Sequence, residues 1–481
     1  MGLKIKKILN FFALILIIFL CSFFWRFIEI PFNEAETSIG FLTQIKYNHL
    51  NDTIRYLFFV GIPLIYYLFF ICKIKLNIQT FDKFLIKKFK FDKDNFTFKT
   101  IWPIFSLLIF LLIIEFLTLD APSTSFLDPL HHGDYLVPII NYLSENQFWN
   151  SSFTVHGGSN IFYPLIAWNL FGANTIGALN VFILILVLIL KILSIILIFY
   201  ISKFSELETK YKIILFSILS LIILSLSNYY LIDYLSVRDI YALLFFIFFV
   251  QCFFKSNSLH LNFLISLITI FTIFINIDIG IYLFITLISY ILYLLFSKKY
   301  NETLQIFLSI IFSFILVLLF FGNSEVSSFI FQSKQLIFNM DVMHGLKYPQ
   351  PFFSMGIEPD GSRATKTIFL QLLCGIIAFG ILFSKKNYFN TREKLFFLFF
   401  YVYSFIAFKS ALGRSDGFHI MQSSDWQSLI IYYSLVHFII FLIKKKKLFV
   451  FDIKFAYLFS IILIFAVMIP KFNLNNLIDF Q

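Results

Sequence analysis

Apolar positions in this chain neither alternate nor keep to one helical stripe; they form continuous runs separated by short polar breaks. A hydrocarbon core of about 30 Å is crossed by about 20 helical residues. Runs that reach or approach this length recur at 8–25, 54–72, 101–119, 175–201, 213–230, 240–254, 261–276, 279–296, 305–321, 367–384, 395–408, 427–443 and 453–470. These thirteen runs predict transmembrane helices. Several are short and the pair flanking Asp278 could be one broken unit, so the expected count spans 11 to 14. A membrane β-barrel would instead show alternating segments of about ten residues. The expected fold class is all-α, a single polytopic membrane domain over residues 1–481.

Charge then orients the bundle. With Lys4, Lys6 and Lys7 in the cytoplasm and sides alternating, the loops of Lys73–Lys99, Lys203–Lys212, Lys255, Lys298–Lys299, Lys385–Lys394 and Lys444–Lys447 share one side. Together these positions hold 25 of the 38 Lys and Arg residues, as the positive-inside bias requires. Opposite them fall 18 of the 27 acidic residues and six of the eight histidines: His49, His131, His132, His156, His344 and His419. The expected location is a bacterial inner membrane, with a cytoplasmic N-terminus and an acidic, titratable periplasmic face.

At 59% hydrophobic and 14% charged residues, with a mean hydropathy of +0.87, a soluble domain of this length is excluded. The net charge of +11 is accounted for by anionic lipid headgroups and calls for no nucleic acid. The 71 phenylalanines read as lipid-facing or core packing. Cys21, Cys72, Cys252 and Cys374 lie in or at the ends of runs without metal or disulfide spacing, which makes them apolar fillers. Residues 19–27 offer no small-x-small cleavage signal, and Leu20 before Cys21 does not suit a lipoprotein, so the first run is expected to remain as an anchor.

Four outer segments carry the unusual residues. Residues 26–53 contain Pro31, Asn33, Glu34 and Glu36 before an amphipathic stretch that suits an interfacial helix. Residues 120–172 gather Asp120, Asp128, His131, His132, Asp134 and His156 just beyond the third run. Pro129 and Gly133 predict a constrained turn over Asp128–Asp134 rather than a long helix. Alternatively, Asp128 could cap a short helix opening at Pro129. Phe162 to Gly172, broken by Pro164, predicts a re-entrant or interface-lying helix. Arg238, beside Asp239, could hold a phosphate or pair with that neighbour. Residues 322–366, punctuated by Pro349, Pro351, Gly356 and Gly361, predict a lid-like loop, and Lys409, Arg414 and His419 follow in a later segment. Arg238, Lys409 and Arg414 are cations on the cation-poor face; a lipid phosphate or diphosphate would satisfy them, as would pairing with Asp416 or Asp425. Within the runs, Glu115, Lys191 and His437 need explanation; Glu115 can snorkel, and Lys191 must face protein or water.

Many helices, a large outer loop with Asp128, His131, His132 and Asp134, an interfacial helix after it and outer cations further on resemble the type C, polyprenyl-phosphate-sugar-dependent glycosyltransferases of bacterial envelopes. Pro31-Phe32-Asn33-Glu34-Ala35 looks like that family's proline followed by Asp-Glu-Ala, with Asn33 in place of aspartate. In that family the acidic motif follows the first span, whereas here the denser cluster follows the third. The resemblance implies inverting transfer of a sugar from a polyprenyl-phosphate donor to a glycan or lipid acceptor, with Asp128 or Asp134 as base. Arg238, Lys409 or Arg414 would then stabilise the leaving phosphate, and His131, His132 or His156 could hydrogen-bond it. Asp128, His132 and Asp134 could also hold a divalent ion; no other cofactor is implied. Three alternatives remain: an O-antigen-ligase-like enzyme acting on a lipid diphosphate, a transporter or flippase of lipid-linked sugars, and an assembly protein.

Overall fold

The structure, a computed structural model, describes residues 2–30, 48, 50–72, 96–118, 129–226, 237–254, 258–344, 346–383, 389–413, 415, 417–423, 425–446 and 452–468. Among these residues every regular element is helical. In chain order the helices are α1 (Gly2–Phe24), α2 (Leu50–Tyr66), α3 (Phe98–Leu117), α4 (Pro129–Glu145), α5 (Ser159–Phe171) and α6 (Ile176–Phe204). There follow α7 (Thr209–Leu226), α8 (Asp239–Cys252), α9 (Leu259–Ile275), α10 (Ile277–Phe296), α11 (Tyr300–Phe321) and α12 (Asn323–His344). The last are α13 (Gly361–Leu382), α14 (Thr391–Ala407), α15 (Lys409–Gly413), α16 (Gly417–Gln422), α17 (Asp425–Lys446) and α18 (Ile453–Met468).

Nine helical segments among the described residues are long and apolar enough to cross a membrane. They are Ile8–Phe27, Leu50–Ile71, Phe98–Leu117, Ile176–Phe204, Ile277–Phe296, Tyr300–Phe321, Gly361–Leu382, Thr391–Gly413 and His419–Lys444. The architecture is that of a polytopic helical membrane protein. Nine of the thirteen apolar runs coincide with these candidate spans, and a tenth, 213–230, continues beyond the described residues. For the other three the reason is length: α8, α9 and α18 are apolar but short, and the 14 residues of α8 reach only about 21 Å at 1.5 Å per residue.

Contacts divide the chain into two units, residues 1–88 with 334–434 and residues 89–333 with 435–481. In the first, α1 packs on α2, α2 on α13, and α13 on α14 and α16. Asn51, Asp52 and Arg55 open α2 in buried positions. Asn51 Oδ1 accepts from Ile30 N at 2.6 Å, Asp52 Oδ2 from Tyr348 N at 2.8 Å, and Asp52 pairs with Arg55 at 3.3 Å. Helix α14 starts on a capping box, in which Asn390 Oδ1 accepts from Glu393 N at 2.8 Å and Glu393 Oε2 from Asn390 N at 2.7 Å. Tyr433 donates to the same buried carboxylate.

In the second unit α9 packs against α8, α10 and α11, while α6 packs against α3, α5, α7 and α8. Gly280 permits the approach of α10 to α9, because a Cβ there would run into the Ile273 backbone. Glu115 on α3 and Lys191 on α6, 76 residues apart, form an ion pair at 3.1 Å with side chains 15% and 12% exposed. The acid therefore meets the lysine instead of snorkelling. His437 is hydrogen-bonded to Ser205 at 3.1 Å.

Two loop expectations are corrected. Residues 129–145 form the 17-residue helix α4, not a turn. Pro129 occupies the first helical position, where its fixed φ and missing N–H suit a helix start, and packing on α5 offsets a glycine penalty of about 1 kcal/mol at Gly133. Residues 323–344 of the expected lid are helix α12, and irregular turns occupy only the stretch before α13.

Removing one partner of a buried ion pair leaves an uncompensated charge and costs about 3–5 kcal/mol. Glu115→Gln is thus expected to lower the thermal midpoint in detergent sharply, and adding Lys191→Met to recover most of the loss. Equal midpoints for wild type and Glu115→Gln would show the pair to be dispensable.

Candidate functional site

Three helices of the second unit begin at one place. Gly158 is the N-cap of α5, Arg238 of α8 and Asn276 of α10. Two backbone hydrogen bonds join the first and third: Gly158 N donates to Phe274 O at 2.7 Å, and Ile277 N donates to His156 O at 3.3 Å. The approach requires glycine. Gly157 has φ +92°, in the left-handed region, and a Cβ on it would lie 2.9 Å from Phe274 O. The Arg238 side chain reaches the same turn, with Nη2 2.9 Å from His156 Nε2. Guanidinium can only donate, so His156 Nε2 accepts and the ring proton sits on Nδ1.

Side-chain amides line the junction. Asn160 is fully buried and its Oδ1 accepts from His156 N at 3.0 Å. Asn276, also fully buried, accepts from Ile279 N at 3.4 Å and so caps α10. Among the described residues the Nδ2 groups of both asparagines have no hydrogen-bond partner. An unsatisfied buried donor costs about 1–3 kcal/mol. Asp239 and Asp278 stand in the first turns of α8 and α10, where helix dipoles favour negative charge. Three N-termini, Arg238 and the two amides gather hydrogen-bond donors at the junction, and Asp239 and Asp278 already supply carboxylates to two of those helix starts.

Packed tyrosines link this junction to α4. Tyr163 and Tyr241 hydroxyls lie 3.1 Å apart, and the Tyr135 ring stacks on Tyr163 with centroids 6.4 Å apart. Burial first, then Tyr241, pushes the Tyr163 phenol well above its usual range, while nearby Arg238 draws it down. Upstream, α12 grips the segment that leads into His156. Glu325 Oε2 accepts from Trp149 N at 2.6 Å and from Asn150 N at 3.0 Å. Gln332 Nε2 donates to Trp149 O at 2.6 Å and Ser152 O at 2.7 Å, and its Oε1 accepts from Thr154 N at 3.4 Å. Trp149 meanwhile fills a pocket of Phe274, Phe321 and Phe329.

Of the residues singled out in the sequence, His156 and Arg238 meet directly. His132, one turn before Tyr135 on α4, is buried, and Asp134 is half-buried. His131 lies on α4 with its side chain outside the described residues; Glu34, Asp120, Asp128 and Arg414 lie outside them altogether. Lys409 and His419 belong to the first unit, where Lys409 Nζ donates to Thr53 Oγ1 at 2.8 Å. Among the described residues no group of three or more His, Cys, Asp or Glu side chains is arranged to hold a metal ion. Asn160, Asn276 and the α12 contacts were not singled out in the sequence; the polar break Asn276-Ile277-Asp278 between two apolar runs was the visible signal. The chain matches no family model, no curated protein and no solved structure.

Gly157→Ala combines a strained φ with a clash against Phe274 O, at a cost of about 1–3 kcal/mol. Gly61→Ala, with nothing within 4 Å of its Cβ in a helix, should match or exceed wild type in thermal midpoint. Indistinguishable midpoints for Gly157→Ala and wild type would show that the turn does not need its glycine.

Proposed function

We propose that this protein is a membrane glycosyltransferase that takes a sugar from a polyprenyl-phosphate donor and transfers it to an envelope glycan or lipid. The observation that carries the reading is the junction of three helix N-termini around the Arg238 to His156 contact, with the Asn160 and Asn276 amides open beside it. Such a junction suits the phosphate of a lipid carrier, since backbone dipoles, amides and guanidinium all stabilise phosphate charge.

The chemistry is a single displacement. A carboxylate, Asp134 or Asp128, takes the proton of an acceptor hydroxyl, whose oxygen forms a bond to the anomeric carbon. The bond from that carbon to the phosphate oxygen breaks, its electron pair leaves with the phosphate, and configuration inverts. Arg238 and the two amides stabilise the charge gathering on the leaving phosphate. His156, whose Nε2 accepts from Arg238, keeps the guanidinium aimed. This reading places the site on the periplasmic side, with the lysine-rich loops in the cytoplasm.

Transfer from radiolabelled polyprenyl-phosphate sugars into a lipid-extractable or glycan product, measured in proteoliposomes, tests the proposal. A charge-assisted hydrogen bond is worth about 1.5–3 kcal/mol, so Arg238→Ala should lower transfer about 10- to 100-fold. Asp134→Asn should abolish transfer if Asp134 is the base, while donor binding persists. No transfer by wild type from any polyprenyl-phosphate sugar, or full activity in Arg238→Ala, would refute the reading.

A further inference from the structure

We propose that residues 351–357 form a lipid-immersed foot, a non-helical turn whose Phe353, Met355 and Ile357 side chains lie in the boundary between acyl chains and headgroups beside the end of α1. The three side chains are 48%, 49% and 80% exposed, and no charged residue interrupts the stretch between Lys347 and Glu358.

Contacts with α1 set its depth. Ser22 donates to Pro351 O, Gln350 Nε2 donates to Ser22 O at 2.8 Å, and the Phe353 ring lies 6.4 Å from that of Phe23. Ser22 stands five residues before Phe27, the end of the candidate span Ile8–Phe27, or about 8 Å inside it at helical rise. The turn therefore sits at the level of the span's last turns. There Phe23, Phe24 and Phe27 are themselves 39%, 46% and 60% exposed, which extends the same apolar surface onto a helix that lipid must surround.

Irregular backbone survives at such a depth only when its polar groups are satisfied internally, and here much of the turn is. Phe353 N donates to Pro351 O at 2.9 Å, Ser354 N to Gln350 O at 3.1 Å, and Ile357 N and Glu358 N to Ser354 O at 3.1 and 3.2 Å. Phe352 N donates to Thr365 Oγ1 at 2.9 Å. The conformation is enforced. Phe352 is held at φ +64° with its ring against Phe19, Phe59 and Phe369, and Gly361 leaves no room for a Cβ beside Ser354 O. An anchoring role in lipid accounts for apolar side chains on an ordered turn that a water-facing loop would replace with polar ones.

The test places an environment-sensitive NBD fluorophore on Ile357→Cys in nanodiscs of phosphatidylcholine and phosphatidylglycerol. The unsubstituted protein supplies the background from its native cysteines, of which Cys21 and Cys374 are buried. Lipids carrying a nitroxide near the headgroup should quench residue 357 more than lipids carrying it near the chain end. For Ile311→Cys, 43% exposed at the middle of the candidate span Tyr300–Phe321, the order should reverse. Quenching of residue 357 by an aqueous nickel chelate to the extent seen for Lys347→Cys would place the turn in water and overturn the proposal. Protection from both quenchers would overturn it too, by showing that protein, such as a second copy, covers the surface. Phe353→Cys and Met355→Cys read the same surface should Ile357→Cys not fold.

Discussion

The candidate site depends on two backbone hydrogen bonds, Gly158 N to Phe274 O and Ile277 N to His156 O. They dock a glycine turn against the one-residue joint between α9 and α10 and so bring the starts of α5 and α10 together. Arg238, at the start of α8, then reaches His156. Each helix start presents N–H groups without intrahelical partners and a positive dipole end. Separated, these would be ordinary helix ends; docked, they form a concentration of donors inside a protein that is otherwise apolar.

A medium without water makes every unpaired polar group costly, and several buried or half-buried groups find explicit partners. Glu115 meets Lys191, Glu393 serves Asn390 and Tyr433, His437 meets Ser205, and Asp52 ties Arg55 to the Tyr348 backbone. Asn160 and Asn276 each use the side-chain oxygen on backbone and, like Trp149 Nε1 and Gln371 Nε2, leave a buried nitrogen without a hydrogen-bond partner among the described residues; what sets the two asparagines apart is their place beside Arg238. Under the proposed function, the two amides and the Arg238 guanidinium would donate together to the phosphate of the lipid carrier.

The all-helical membrane class was legible because continuous apolar runs leave no other solution for a chain this hydrophobic. Arg238 was legible as a cation on the face expected to be cation-poor, and His156 as part of a segment dense in His and Asp. The partners were not. Glu115 and Lys191 are 76 residues apart, and one sequence carries no record of such a contact. A turn was expected over Asp128–Asp134 because Pro129 and Gly133 are local breakers, whereas residues 129–145 form a helix whose packing on α5 decides the outcome. Asn276 registered only as an interruption between runs; its Oδ1 accepts from Ile279 N as the N-cap of α10, whereas the docking of this joint on the Gly157–Gly158 turn is a contact that no local pattern encodes. The grip of Glu325 and Gln332 on residues 149–154 was hidden for the same reason, inside a stretch expected to be a lid.

The most direct measurement of the anion-site claim compares farnesyl phosphate with farnesol for binding to the protein in nanodiscs, in wild type and in Asn276→Asp. Both ligands share the chain, so the difference reports the phosphate alone. The phosphate should bind about tenfold or more tightly than the alcohol, one charge-assisted hydrogen bond being worth at least about 1.5 kcal/mol, and Asn276→Asp should erase the advantage by setting like charge against it. Equal affinities for the two ligands in wild type, or a phosphate preference untouched by Asn276→Asp, would contradict the account.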